Sequence, residues 1–162
     1  MPTETEARND ELARWGPVFA RLALGIPLVI AGMGKIFGVG PKATGIEGFT
    51  MMLAGLGFPA PVLFAWLVGI VETFGGIFLL VGVLVRLSAV LGGVIMLTAT
   101  VLVHVPNGYP ATEGGVELTL ALLLVALTLV FTGPGRLSVE HDLLERELVP
   151  VPGSAGGVSA QD

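Results

Sequence analysis

A carboxylate interrupts the long apolar stretch "WLVGIVETFGGIFLLVG" (66–82), where Glu72 sits close to the middle. An unpaired ion at the centre of a bilayer costs at least about 2.5–3.5 kcal/mol, so pairing or protonation is close to obligatory. Buried in a dry site, such a group can carry a proton. Few other side chains in this chain can do chemistry. Arg21 and Lys35 lie at the two ends of the first apolar run, and His104, Tyr109 and Glu117 lie around a later loop. Lysine and histidine donate hydrogen bonds to carbonyl oxygens, and glutamate and histidine relay protons. There is no cysteine, so this chain has no thiol–disulfide chemistry and no thiolate or iron–sulfur ligation. The only histidines, His104 and His141, are expected on opposite sides of a membrane, which leaves no intrachain haem or zinc site.

The elements that position these groups are membrane helices. Of 162 residues, 53% are hydrophobic and only 13% charged, against about 25% charged in soluble domains. Uninterrupted apolar runs of bilayer length predict four transmembrane helices, at 15–35, 61–85, 87–105 and 115–132. The fold class is therefore an all-α membrane protein, a four-transmembrane-helix bundle. The connection 36–60 is long for a bundle loop, and "IEGFTMMLAGLGFPAP" within it is apolar but too short to span. It predicts an interfacial or re-entrant helix with Phe49, Met52, Leu53 and Leu56 on one side. Residues 1–14 form a cytoplasmic segment without a signal-peptide pattern. Residues 133–149 predict a cytoplasmic amphipathic segment capped by Ser138, and 150–162 a disordered tail.

Basic residues set the orientation. Arg8, Arg14, Arg21, Arg86, Arg136 and Arg146 fall on one side, and Lys35 and Lys42 on the other. The positive-inside rule then places both termini in the cytoplasm of a multi-pass cell-membrane protein. A net charge of −5 argues against nucleic acid as a partner.

Helical spacing suggests how the charges meet. Arg21, Gly25, Leu28, Gly32 and Lys35 share one stripe of the first span, and Ala65, Gly69, Glu72 and Gly76 one stripe of the second. Small residues of this kind let membrane helices approach closely. With Lys35 and Pro61 level at the outer surface, Arg21 lies about 21 Å down and Glu72 about 16 Å down. This predicts an Arg21–Glu72 pair inside the membrane and a Lys35–Glu117 pair near its outer edge. Lys35, His104, Tyr109 and Glu117 are the candidate residues of an outer quinone pocket, and no metal site is expected.

The succession "RLALG", "GMGK", "VGIVETFGGIFLLVGVLVR", "GGVELTLALLL" and "GPGRLSVE" resembles the DoxX family of small four-helix membrane proteins, over about residues 15–142. Glu140 stands where members usually have aspartate. Arg21, Lys35, Glu72, Glu117 and Arg136 match the family's polar positions. The resemblance implies a role beside redox enzymes, since relatives include a membrane subunit of a thiosulfate:quinone oxidoreductase and partners of sulfur-transfer and superoxide-handling proteins.

The expected function is a membrane subunit or anchor of a quinone-linked oxidoreductase complex. Glu72, Arg21, Lys35 and Glu117 are its candidate catalytic residues, quinone its candidate cofactor, and a soluble or membrane redox subunit its candidate partner. Two alternatives stand beside it: a small oligomeric transporter or channel with a buried Arg–Glu pair, and a non-catalytic membrane scaffold. A homo-oligomer is a further candidate partner, and the transporter reading needs one.

Overall fold

The computed structural model describes residues 3–5, 8 and 13–139. The expected amphipathic segment is therefore described only as far as residue 139. The 150–162 tail and most of the N-terminal segment lie outside the described residues.

Five α-helices and no strands make up the described chain: α1 Gly16–Phe37, α2 Gly45–Gly55, α3 Pro61–Val81, α4 Val85–Ala99 and α5 Glu117–Thr132. Proline opens both α1 and α3, at Pro17 and Pro61, where its missing N–H costs nothing. Pro27 lies inside α1 without ending it. Beyond Ala99, α4 continues as a wider π turn, Thr100–His104, and a 3₁₀ turn, Val105–Asn107. Three stretches are long and apolar enough to cross a membrane: Gly16–Phe37, Pro61–Val81 and Val85–Asn107. The fourth, Glu117–Thr132, has 16 residues, or about 24 Å against a hydrocarbon core of about 30 Å.

The helices form a ring in which α1 packs on α3, α3 on α4, α4 on α5 and α5 back on α1. Leu24, Leu28, Leu79, Val85, Ala89, Met96, Leu122, Ala126 and Leu129 fill its centre. Outward-facing side chains are also apolar, among them Phe19, Ile26, Leu63, Phe74, Val94, Leu124 and Phe131. So wide an apolar exterior suits acyl chains as its solvent.

The α1–α3 contact is the tightest seam. A Cβ on Gly32 would lie 2.3 Å from Thr73 Oγ1 and 2.5 Å from the Thr73 nitrogen. One on Gly76 would lie 2.8 Å from the Val29 nitrogen and 2.9 Å from the Gly25 oxygen. Backbone meets backbone here, as the small-residue stripes predicted.

Beside this seam α2 packs on α3 and α1. Phe49 and Leu53 are buried against Ala65, with Ile46, Phe58, Phe64 and Val68 around them. Met52 and Leu56 are exposed, so only half of the face expected from sequence is covered. Phe49 and Leu53 point straight at α3, whereas Met52 lies on the flank and Leu56 follows the end of the helix.

Candidate functional site: a lysine–glutamate pair under a short helix

Lys35 lies in the last turn of α1, where the partial negative charge of the helix end favours a cation. Glu72 lies mid-way along α3, where no helix end helps it. The lysine Nζ donates to Glu72 Oε2 at 2.5 Å. The carboxylate side chain is 2% exposed and the lysine side chain 16%. The ammonium also stands 4.9 Å from the centre of the Phe49 ring, contributed by α2. Beneath the pair, Thr73 satisfies its own hydroxyl on the Gly69 carbonyl at 2.8 Å. One end of the bundle thus holds a charge pair with an aromatic face against it.

This pairing corrects the expected one. Arg21 does not reach Glu72. The helix register explains why: Gly32 of α1 lies against Gly69 and Thr73, and Ile36 against Gly69. Lys35 is therefore level with the neighbourhood of Gly69, not with Pro61. The difference is about 12 Å of helical rise. It brings Glu72 up to Lys35 and leaves Arg21 far below.

Arg21 has a different task. It is 3% exposed, and its Nε donates to the Leu79 carbonyl at 2.8 Å. One terminal nitrogen, Nη1, donates to the carbonyls of Pro134 and Arg136 at 3.0 and 3.1 Å. The other, Nη2, donates to those of Leu80 and Leu137 at 3.1 and 3.0 Å. Leu79 and Leu80 lie in the last turn of α3, whose carbonyls have no partner within the helix. Arg21 thus caps α3 from the side and ties it to the loop after α5.

The expected Lys35–Glu117 pair is also absent. Glu117 is exposed, and its Oε2 accepts from the Ala111 N–H at 3.0 Å. This folds the 108–116 loop back onto the start of α5, helped by Val116 N–H to Gly108 and Glu117 N–H to Tyr109. His104 Nδ1 lies 2.6 Å from the Gly114 carbonyl. A carbonyl only accepts, so Nδ1 carries a hydrogen there. Tyr109 points outward, 62% exposed. Among the described residues no hydrogen bond joins Lys35 to His104, Tyr109 or Glu117. Phe49 is the partner of Lys35 that the sequence reading did not assign to the site. Its signal was an aromatic on the short helix facing the end of the first span.

Arg136 stacks on Trp15, 5.5 Å from the ring centre, which joins the start of α1 to the segment after α5 on the side opposite Lys35. Among the described residues no group of three or more His, Cys, Asp or Glu could hold a metal.

Comparison with known proteins settles the family. A family model described as DoxX matches residues 16–105, more than half of the chain and the whole of α1 to α4. The chain belongs to the DoxX family. A membrane protein of Mycobacterium tuberculosis, described as uncharacterized, is 35% identical over 101 residues, covering 56% of this chain. The match spans 62% of that relative's length. No solved structure matches. Both Lys35 and Glu72 fall inside the DoxX match, whereas Glu117 and the 108–116 loop fall outside it. This DoxX protein is a membrane protein, with the bilayer as the solvent of its outer face.

Proposed function

We propose that this DoxX protein is the membrane subunit of a quinone-linked oxidoreductase complex, with the Lys35–Glu72 pair as its quinone-facing site. The observation that carries the reading is the pair itself. A cation with 16% of its side chain exposed sits on a carboxylate that is 2% exposed. The ammonium has three donors and uses one on Glu72. A second can meet a carbonyl oxygen, and the carboxylate beside it can give or take the proton that quinone reduction requires. In this reading electrons come from a partner subunit, and the chain, lacking cysteine, brings no thiol or iron–sulfur relay of its own.

The chemistry of the residues present suits a quinone. Lys35 supplies the donor, Glu72 the proton-exchanging group, and Phe49 an aromatic face against which a ring can lie. Quinone would supply the two-electron chemistry. Arg21 and Glu117 are given no part in this reading: Arg21 donates to five backbone carbonyls, and Glu117 accepts from the Ala111 N–H.

In this reading the chain crosses the membrane four times with both ends in the cytoplasm. The ring of antiparallel neighbours α1, α3, α4 and α5 supports it, as does the excess of arginine at the Trp15–Arg136 end. The transporter reading loses its main support, because it rested on a buried Arg21–Glu72 pair along a solute route. Gentle extraction into native lipid discs tests the proposal. Mass spectrometry is expected to find a redox subunit and a quinone with the protein. Discs holding neither would overturn it.

A further inference from the structure

We propose that α2 is a lid that opens on the bilayer side and admits a lipid-soluble carbonyl compound to the Lys35–Glu72 pair. The ligand class rests on the quinone reading above, whereas the lid stands on its own geometry.

What holds α2 in place is unusual. Among the described residues, the hydrogen bonds of this segment close within residues 42–58: Thr44 to Lys42, Leu56 to Met52, Gly57 to Ala54 and Phe58 to Leu53. Its remaining anchors are side-chain packing and one close backbone approach. Phe49 and Leu53 are buried against Ala65 among Ile46, Phe58, Phe64 and Val68, and the Phe58 ring stands edge-on to Phe64. The Phe49 ring meets the Lys35 ammonium, and the Lys42 backbone lies against Gly34. Lipid tails are as apolar as the core of a bundle, so apolar packing in a membrane lacks the driving force that water would give it. The cation–π contact adds roughly 0.5–2 kcal/mol.

The outer face of α2 is made for lipid. Met51 is 70% exposed, Met52 41% and Leu56 40%. Glycines in the left-handed region stand at both ends of the segment, Gly45 (φ +67°) and Gly57 (φ +79°), where the chain turns into and out of it. Removing α2 from α3 uncovers the face of Lys35 that Phe49 now covers. No water-filled path is required, because the lid's own exposed surface is methionine and leucine.

The chain's lack of cysteine gives a clean background for the test. Full-length protein in liposomes is treated with dicyclohexylcarbodiimide, a lipid-soluble reagent for carboxyl groups, or with a water-soluble carbodiimide. Mass spectrometry then follows the modification of Glu72, with Glu72→Gln as the blank. The lipid-soluble reagent is expected to modify Glu72, and faster than the water-soluble one. Leu53→Ala, which loosens the lid, is expected to raise that rate about tenfold, because labelling tracks the open population. A disulfide between Leu53→Cys and Ala65→Cys is expected to abolish it until reduced.

Equal rates in the parent and Leu53→Ala overturn the lid, whether or not the disulfide forms. So does an absence of labelling in both. Faster labelling by the water-soluble reagent overturns the bilayer route, provided circular dichroism shows Leu53→Ala still helical. No quinone enters this experiment. A working lid on a protein that holds no quinone therefore overturns only the quinone reading.

Discussion

Lys35 and Glu72 are held 2.5 Å apart by a helix register in which Gly32 lies against the backbone of Thr73. The charge pair and the glycine seam are parts of one contact. Any change that shifts α1 along α3 by a turn separates the ions. Breaking a buried pair by removing one partner costs about 3–5 kcal/mol, whereas replacing both by apolar residues is often neutral. Lys35→Met and Glu72→Met are therefore each expected to lower the thermal midpoint in detergent, and the double variant to recover most of the loss. Additive losses in that double-mutant cycle would show that the two ions do not depend on each other.

The seam makes its own demand. Gly32→Ala drives a methyl group to within 2.5 Å of the Thr73 nitrogen and 2.9 Å of the Gly69 oxygen, backbone atoms that cannot swing aside. Overpacking of this kind costs about 1–3 kcal/mol or more. Gly48, inside α2, has only the Thr44 Cβ at 3.8 Å from where its own would lie. Gly48→Ala is expected to stabilise by about 0.5–1 kcal/mol, from helix propensity. Denaturant titration of both variants checks the contrast. Equal effects would mean that the two helices are not in close contact.

Arg21 tests a second kind of contact. Its planar fork meets five carbonyls, and a lysine can offer only three donors from one point. Arg21→Lys is expected to behave almost like Arg21→Met, with a loss of about 2–5 kcal/mol. Hydrogen exchange should accelerate at the end of α3 and across residues 133–137, leaving α2 unchanged. A harmless Arg21→Lys would mean that charge alone, without the fork, holds these segments.

Topology can be read directly, because the chain has no cysteine. Asn107→Cys, in the loop between α4 and α5, is expected to react with a membrane-impermeant maleimide added to intact cells. Arg14→Cys is expected to react only after the membrane is opened. The reverse pattern would invert the proposed orientation.

Sequence exposed the helices and the faces that meet, but not their register. Glycines 25, 32, 69 and 76 marked the α1–α3 seam correctly, because only small residues permit such an approach. Depth counting failed since it needs a common origin, and Lys35 and Pro61 do not supply one. The long connection between α1 and α3 lets α3 begin well beyond the end of α1. Counting from Pro61 therefore placed Glu72 too deep and gave it to Arg21. The acceptors of Arg21 were harder to foresee, because they are carbonyls and leave no residue-type signal. The Gly-Pro-Gly turn at 133–135 was a clue, because a helix that stops there leaves carbonyls without helical partners. With the second span carried on to 85, the free carbonyls at its true end, Val81, were missed. Glu117 was misassigned for a related reason. An acid at a helix start most simply serves nearby backbone N–H groups, and the Ala111 nitrogen is the one it serves.

Retention of quinone by the intact protein tests the central claim most directly. The parent, Lys35→Ala, Glu72→Gln and Arg86→Lys proteins would be extracted into native lipid discs and their quinone measured per mole by chromatography. The account predicts a near-stoichiometric quinone in the parent and in Arg86→Lys, and its loss from Lys35→Ala and Glu72→Gln while both remain folded. Equal quinone in all four, at the level of the surrounding lipid, would contradict it and leave Lys35–Glu72 as a pair that only fixes the helix register.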